Sequence, residues 1–491
     1  MPRVGTVSYV HRRRPPSRLS GVAPSVLLGL AVAGCAVGPD YHRPATPLAP
    51  FYNSAVLHSR SASPPARLQD WWSGFDDPEL SRVVERALAQ NLDLAAALAR
   101  VQQARAVARQ AGARLAPTVA ASAQAATIHQ SLESPTGRIA SRFPGYGRNA
   151  SLYDVDVGAS WEIDLFGGLR RGAQAARAEA EAAEAEQLGA RVSIAGEAAD
   201  AYLRIRGDQA RLAATEAQVA TDARLLELVR LRFAKGLASD REVAQAEALL
   251  SQARAAIQPL KIDLEAQLNR LDVLTGVQPG TLSAELSAPA EIPAAPGVPA
   301  DDRPADVLRR RPDIVAAEQR LKAANARIGQ AVAEYYPKIS ISGLLGFESA
   351  SPGQLFKTAT YQPQAQAGLR WRLFDFGRID AEVQEARGAQ AEALALYRQS
   401  VLRAAEDVEN AFTSLAQLEA HQEELTQEVA ALKRARGLSQ DAYLRGAAAL
   451  ADVLDADRQL LRAQDELSQT RADAARAAVQ SFRALGGGWS S

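Results

Sequence analysis

The stretch that decides the fold is Leu152–Gly167, LYDVDVGASWEIDLFG, because every second residue in it is apolar. These apolar residues are Tyr153, Val155, Val157, Ala159, Trp161, Ile163 and Leu165. A period of two is typical of a β-strand with one apolar face and one polar face. Strands of globular proteins usually have about five or six residues, whereas a tilted strand that crosses a bilayer needs about 9–11. The stretch therefore predicts a membrane-spanning strand over about 152–165.

A second copy of this pattern lies at Tyr361–Gly377, YQPQAQAGLRWRLFDFG, and predicts a strand over about 361–373. Outside the strands the correspondence continues, because FAKG at 233–236 aligns with YLRG at 443–446. A duplicated half-protein explains both matches. Each unit reads helix, strand, strand, helix, Gly break, helix. The predicted boundaries are 71–275 and 305–485 for the two units, 276–304 for the Pro-rich linker between them, 118–129 and 338–347 for the remaining strands, and 486–491 for the tail.

The helices predicted between these strands are unusually long. Helices are expected over about 79–115, 169–234, 240–274, 305–334, 379–445 and 450–485. At about 1.5 Å per residue, the 169–234 helix would be roughly 100 Å long. A single globular core cannot cover such a helix, so we expect the long helices to pack against one another. The Trp71-Trp72 pair before the first helix is expected to pack in the core.

Bulk composition excludes several classes of function. The 491 residues have a formal net charge of zero and are 47% hydrophobic. Five Arg residues lie within 1–34, so the rest of the chain is mildly acidic and offers no basic surface for nucleic acid. The five His residues have no metal-ligand spacing, and no G-x-x-x-x-G-K-[ST] motif is present. With His421 standing alone on a helix, we expect neither an enzyme nor a cofactor.

The N-terminus has the form of an export signal. Arg-rich sequence precedes the apolar run GVAPSVLLGLAVAG, which ends directly before Cys35, the single Cys of the chain. The run is too short for a spanning helix and fits a signal peptide over 1–34. Val32–Cys35 resembles a bacterial lipobox, which predicts lipidation of Cys35 and an extended tether over 35–70. An exported protein with a chance Cys is the alternative.

The four predicted strands cannot form a closed structure within one chain. Open sheet edges cannot face lipid, because unpaired backbone groups there cost several kcal/mol each. Closed membrane barrels have about eight strands or more. A barrel must therefore be shared between copies of the chain.

Taken in order, the motifs resemble the TolC/OprM-type outer-membrane factor family, and within it the lipoproteins of the NodT type. The matching motifs are GPDY at 38–41, DLFG at 164–167, RRPD at 310–313, YLRG at 443–446 and DVLDA at 452–456. The resemblance implies a mainly α protein with a small membrane β part. It implies a homotrimer, with a twelve-stranded β-barrel continuous with a long periplasmic α-helical barrel.

The same resemblance implies the exit duct of a tripartite efflux pump. Its partners would be a periplasmic adaptor protein, an inner-membrane transporter of the RND or another class, and outer-membrane lipid. The expected location is the outer membrane of a Gram-negative bacterium, with lipid anchoring and a large periplasmic part. The polar side chains of the 361–373 strand would line the lumen, namely Gln362, Gln364, Gln366, Arg370 and Arg372. An ordinary sandwich surface is the alternative, which the long and regular apolar face opposite disfavours.

The resemblance also implies a gate at the periplasmic tips, where the helices turn. The matching acids are Asp452 and Asp455, which share a helix face at i,i+3; a solvated helix face is the alternative. Some family members carry an Arg just after the tip Gly, but this chain has Ala447-Ala448-Ala449 there. Arg445 and Glu242 are therefore further candidates for gate contacts. The residues expected to dock the adaptor are Lys235, Gly236, Leu237, Gly446 and Ala447.

Two other functions compete with the efflux duct. The same architecture could serve as a duct for peptide or protein secretion. A non-conducting coiled-coil lipoprotein that tethers the envelope would explain the long helices and Cys35, but not four amphipathic strands. A passive duct takes its substrate specificity from its partners, so the sequence does not specify a substrate.

Overall fold

A computed structural model of the chain describes residues 36–45, 49–53, 66–299 and 304–489. The predicted signal peptide and Cys35 lie outside the described residues. The fold divides into two compact units, each described by itself. The strand unit comprises Ala111–Ala173 and Ala326–Gln384 with the described residues up to Pro39, and the helix unit comprises the remainder.

The elements follow the duplicated order expected from the sequence. Within the described residues, the helices and strands are α1 (Pro78–Gln90), α2 (Leu92–Ala113), β1 (Thr118–His129), α3 (Pro135–Ala140), β2 (Asn149–Ile163), α4 (Gly168–Ala234), α5 (Asp240–Leu274), α6 (Pro304–Arg310), α7 (Pro312–Val332), β3 (Lys338–Ser349), β4 (Tyr361–Arg370), α8 (Arg378–Leu444) and α9 (Leu450–Ala484). A 3-10 helix over Leu68–Phe75 precedes α1, and another, Ala333–Tyr335, follows α7. None of the helices in the described ranges carries an apolar run long enough to cross a bilayer.

The strand unit contains one antiparallel sheet in the order β1-β2-β3-β4. The register places residues of like character opposite one another, for example Val157 opposite Leu345 and Ala367 opposite Ile341. Because directly opposed residues share a face, the sheet has one apolar face and one polar face. This arrangement confirms the two-faced strands expected from the period of two.

The predicted ends of three strands were wrong, and β3 ends at Ser349 rather than 347. β2 ends at Ile163 rather than 165, because the Asp164 carboxylate turns to accept hydrogen bonds from the backbone N–H groups of Leu169 and Arg170 at the start of α4. β4 ends at Arg370 rather than 373. Just past its end, the Trp371 indole N–H donates to the Tyr335 carbonyl at 2.9 Å.

The helix before each strand pair is also divided, where a single helix was expected. At Asn91 the side chain donates to the Leu274 carbonyl and accepts from the Leu94 N–H, which starts α2 as a new helix. At Arg311 the following Pro312 starts α7, since proline fits the first position of a helix and not its interior.

The long helices show the duplication in their lengths. α4 and α8 each have 67 residues, and α5 and α9 each have 35. In the helix unit, Trp71 is fully buried and stacks on Phe482 with ring centroids 5.5 Å apart. The expected packing role of the Trp pair is thereby confirmed.

Candidate functional site

Both tips, where a long helix turns into the next, have the same backbone geometry. In the first tip, between α4 and α5, Gly236 has a φ of 71° and the Leu237 N–H donates to the Arg232 carbonyl at 2.8 Å. In the second tip, between α8 and α9, Gly446 has a φ of 75° and the Ala447 N–H donates to the Ala442 carbonyl at 2.9 Å. Each is a Schellman motif, in which glycine accepts a left-handed conformation at low cost.

The residues after the two glycines start the returning helices differently. Ser239 and Glu242 form a capping box at the start of α5, with the Ser239 N–H donating to the Glu242 carboxylate at 2.7 Å. This hydrogen bond lowers the pKa of Glu242. At the start of α9, Asp452 accepts from the Ala449 N–H at 3.1 Å, but Ala449 has no hydroxyl to return the bond. Glu242 and Asp452 therefore both cap helices.

Of the residues expected to form a gate, Asp452, Asp455 and Arg445 are exposed. Asp455 lies one turn beyond Asp452 and accepts a hydrogen bond from Gln459 at 2.6 Å. An exposed carboxylate pair at i,i+3 presents negative charge on one face of α9.

An Arg–Tyr contact, which the sequence did not indicate, joins the two tips. The Arg232 guanidinium lies 4.6 Å from the centre of the Tyr443 ring and also reaches the Tyr443 carbonyl at 3.4 Å. The Arg232 Nε and the Tyr443 hydroxyl are buried without a hydrogen-bond partner among the described residues. Burial raises the pKa of the Tyr443 phenol. The contact fastens the end of α4 to the end of α8.

Apolar side chains from α4, α5 and α9 pack behind this contact. Members of this cluster include Leu225, Val229, Leu249, Leu250, Leu450 and Val453. The two hairpins are thus packed together at their tips rather than splayed apart.

Two carboxylates are buried further from the tips. Asp222 on α4 and Asp457 on α9 are each only 1% exposed. Asp457 pairs with Arg436 of α8 at 2.8 Å, and Asp222 accepts from Gln218 at 2.7 Å. One oxygen of each carboxylate has no partner within the described chain. Burial raises the pKa of Asp222 to about 6, and the charge of Asp457 adds to the rise.

The spacing of apolar residues in the sequence indicates these buried acids. Asp222 stands in the apolar stripe formed by Val219, Leu225 and Val229, and Asp457 stands in the stripe of α9. Helical spacing of three or four residues gives one face, so a charged residue at such a position is expected to be buried.

On the sheet, the three glutamines and Arg370 lie on the polar face, as predicted. Their directly opposed residues on β3 are Gly346, Leu344, Ser342 and Lys338. Arg372 was placed on this strand incorrectly, because β4 has already ended. Its guanidinium instead donates two hydrogen bonds of 3.1 Å to Glu382 and also contacts Glu334.

The described residues contain no group of His, Cys, Asp and Glu side chains suited to hold a metal ion. The features that bear on function are the two-faced sheet with open edges, the exposed acids at the tips and the buried charges behind the tips.

Comparison with known proteins identifies the family. A family model described as "Outer membrane efflux protein" matches residues 83–277 and 304–487. The chain belongs to this outer membrane efflux protein family. The two matched blocks lie in the two halves of the chain.

Relatives of this family match over nearly their whole length. The chain is 32% identical to the pyoverdine export outer membrane protein OpmQ of Pseudomonas putida, covering 94% of this chain and 96% of that one. It is 30% identical to nodulation protein T of Rhizobium leguminosarum bv. trifolii, covering 90% and 91%. Among solved structures, the outer-membrane channel OprN has a TM-score of 0.85 at 32% identity, covering 93% of this chain and 100% of that one.

These similarities establish the class of protein. The chain has the fold of the outer-membrane factor channels, which combine a β-barrel part with a helical barrel part. It is an outer-membrane component of efflux systems. Its family consists of channel and efflux proteins, and its homologues are outer-membrane efflux channels of Gram-negative bacteria.

Proposed function

We propose that three copies of this chain form the exit duct of a tripartite efflux pump. The duct carries drugs or other small molecules passively across the periplasm and the outer membrane. A periplasmic adaptor and an inner-membrane transporter, of the RND or another class, deliver the solute and supply the energy.

The observation that carries the proposal is the two-faced sheet with open edges. Among the residues that the structure describes, β1 and β4 each pair on one side only. A strand edge in lipid leaves backbone groups without partners, and four strands are too few for a closed membrane barrel. Pairing β4 of one copy with β1 of the next closes twelve strands in a trimer. The apolar face then meets lipid, and the glutamine-rich face lines the lumen.

The tips form the gate in this proposal. Asp452 and Asp455 of three copies make rings of carboxylates, a common way to favour cations in a pore. The Arg232–Tyr443 contact holds the two hairpins of one copy together behind the rings, and the Glu242 cap fixes the start of α5. Arg445 is exposed at the second tip and is available to a neighbouring copy.

The same tips dock the adaptor. Lys235, Gly236, Gly446 and Ala447 are exposed, and Leu237 is 64% exposed at the extreme of the first tip. Apolar side chains presented at a tip favour packing against a partner helix hairpin.

The anchor in the outer membrane is a set of three acyl chains on Cys35. Three chains hold a protein in a bilayer far more strongly than one chain does. Loss of lipid mass from the purified Cys35→Ser variant tests the anchor.

Single-channel conductance in a planar bilayer tests the duct and the gate. The wild type should show a small, cation-preferring conductance that rises clearly in the Asp452→Ala/Asp455→Ala variant. The matched control is Gln245→Ala, at the position in the first hairpin that corresponds to Asp455. It should leave the conductance unchanged.

Each outcome has a distinct meaning. An unchanged conductance in the double variant would keep the duct and move the gate elsewhere, with Glu242 and Arg445 next to be tested. Absence of a pore from folded protein would contradict the duct and favour an envelope tether.

A further inference from the structure

A strongly basic cavity lies at the end of the sheet where β3 begins and β4 ends. Its volume is about 660 Å³, and all its lining residues belong to the strand unit. Five cationic side chains line it, namely Arg327, Lys338, Arg370, Arg372 and Arg378. Two carboxylates, Glu334 and Glu382, line the same cavity. Five cations less two anions leave three positive charges per chain; we name these seven residues the basic cluster.

The two carboxylates are already engaged by cations of the cluster. Glu334 contacts both Lys338 and Arg372. Burial acts to raise the pKa of Glu334, but its hydrogen bonds with these two cations outweigh that effect and lower it. Glu382 accepts two hydrogen bonds from Arg372 and lies 3.5 Å from the Arg378 Nε. In the part of the chain that the structure describes, the Arg370 guanidinium has no ion-pair partner.

The register of the sheet concentrates this charge on the polar face. Lys338 lies directly opposite Arg370 in the β3–β4 pair. Like charges directly opposite one another on neighbouring strands destabilise a sheet, so the pair does not serve stability. The opposite end of the polar face carries the reverse arrangement, with Asp154 directly opposite Glu348. The two ends of this face therefore carry opposed pairs of opposite sign, and Glu162 of β2 lies on the same face near the basic end.

The cluster is open toward the polar face. On the β2 side, Glu162 lies directly opposite Ser340. On the β4 side, the next opposed pair is Ser340 and Gly368, and Ser340 is exposed. Such small residues leave room for a solute group beside the cationic heads. An arginine fork matches a carboxylate or phosphate with two parallel hydrogen bonds.

We propose that the basic cluster binds the anionic group of solutes that pass along the polar face. The group is a carboxylate, phosphate or sulfonate. This inference rests on the proposed function, because the polar face lines the lumen only in the assembled duct. Three copies then form a ring of Lys and Arg side chains, the arrangement that anion-conducting pores use. The duct has an anion-selective ring at the sheet in addition to the acidic gate at the tips.

The reactivity of a cysteine placed beside the cluster tests this inference without requiring conduction. Ser340→Cys is introduced into the full-length protein, with the wild type correcting for any reaction at Cys35. Its rates with an anionic and a cationic methanethiosulfonate reagent are measured. Adding Lys338→Gln/Arg370→Gln should lower the anionic-to-cationic rate ratio at least threefold, whereas the Glu162 carboxylate opposite position 340 is the same in both backgrounds.

Asp154→Asn/Glu348→Gln is the matched control, because it removes the opposed acid pair at the other end of the same face. Glu348 lies eight residues from Ser340 along β3, about 27 Å at ~3.4 Å per residue. That distance exceeds the Debye length of about 8 Å at physiological salt, so the ratio should not change. A ratio that is unaffected by Lys338→Gln/Arg370→Gln would overturn the inference.

Conductance separates this inference from the proposed function. In a salt gradient, Lys338→Gln/Arg370→Gln should shift the permeability ratio toward cations. A changed rate ratio without any pore would keep the anion site and contradict the duct. A pore with an unchanged rate ratio would keep the duct and contradict the anion site.

The lipid composition distinguishes a soluble anion from a lipid headgroup. The cysteine rates are repeated in vesicles of neutral lipid and in vesicles with anionic lipid added. Equal ratios support a lumen site for soluble anions. A ratio that falls when anionic lipid is added would place the cluster against the bilayer and overturn the inference.

Discussion

The two tips of the helix hairpins share a backbone motif but differ in the side chains around it. Gly236 and Gly446 have nearly the same φ and the same pair of hydrogen bonds. Ser239 completes a capping box at the first tip, whereas Ala449 leaves only half of one at the second. The duplicated halves therefore agree where the backbone requires one residue type. They differ where a side chain adds stability alone.

The difference is larger behind the tips, where charges are buried. Asp222 and Leu432 occupy equivalent positions of the two halves, as do Leu226 and Arg436. Glu247, the equivalent of Asp457, lies at the surface and pairs with Arg230 at 2.7 Å. The first half therefore contributes the buried acid Asp222, whose hydrogen bond comes from Gln218. The second half contributes the buried acid Asp457 together with its partner Arg436. The two halves therefore have the same helices and differ in which charged side chains are buried.

The largest effect on this comparison is expected from Arg436→Gln. Removing one partner of a buried ion pair leaves the Asp457 carboxylate uncompensated and costs about 3–5 kcal/mol. Thermal unfolding in detergent, followed by circular dichroism, should show a lower midpoint. Arg458→Gln is the control, because the exposed Arg458–Asp455 pair at 3.5 Å contributes less than about 1 kcal/mol. Equal losses in the two variants would show that burial does not set the energy.

The second effect is a dependence of stability on pH through Asp222. Its pKa is about 6 in the folded protein and near 3.8 when unfolded, so folding takes up a proton between these values. The contribution of protonated Asp222 to the free energy of unfolding is fully present below about pH 4. It is lost as the pH rises through 6. The change is about 2–3 kcal/mol. In Asp222→Asn, the unfolding midpoint should no longer depend on pH between 4 and 6 and should be higher than in the wild type at pH 7. Asp455→Asn, at an exposed position, should keep the pH dependence of the wild type.

A smaller and equal effect is expected from Gly236→Ala and Gly446→Ala. An added Cβ meets no atom within 4 Å at either position, so only the left-handed backbone opposes it. The cost is about 1–2 kcal/mol at each tip. Hydrogen exchange of the tip peptides, followed by mass spectrometry, should quicken to the same extent in both variants. A one-sided response would mean that the two motifs are not equivalent in energy.

The smallest effects are expected from exchanging the caps. Ser239→Ala removes one bond of the first capping box, and Ala449→Ser can complete the second. Each change is about 1 kcal/mol, with opposite sign. Exchange at the first amides of α5 should quicken in the former, and exchange at the first amides of α9 should slow in the latter. Slower exchange in both, or in neither, would refute the assigned role of the caps.

Most of the fold could be predicted because its signals are local and occur twice. The period of two located β2, β3 and β4, and a composition rich in Ala, Thr and Val located β1. The start and end of α5 agree with the predicted 240–274. Strand ends were less predictable, since Asp164 caps a helix and Arg372 pairs with Glu382 through contacts distant from the strand pattern. The division at Asn91 depends in the same way on a distant contact, with the Leu274 carbonyl, whereas the division at Arg311 follows from the local signal of Pro312.

The candidate site was less accessible to sequence reasoning than the fold. The acids at the tips were named, and their roles in a gate stay predictions. The capping by Glu242 was readable from its spacing to Ser239, but the Arg232–Tyr443 contact joins residues 211 positions apart. Sequence spacing within one helix does not encode such a pair.

The sequence by itself determined the two-faced strands, the long helices and the glycine turns, because each depends on residues close together in the chain. Only the tertiary structure decided which partners the buried charges have and which charges oppose one another across the sheet. Burial of Asp222 and Asp457 requires helices from both halves. The opposition of Lys338 and Arg370 requires a strand register that no single strand specifies. Burial and cross-strand opposition arise only when elements pack together, and they set the pKa values and the local electric fields.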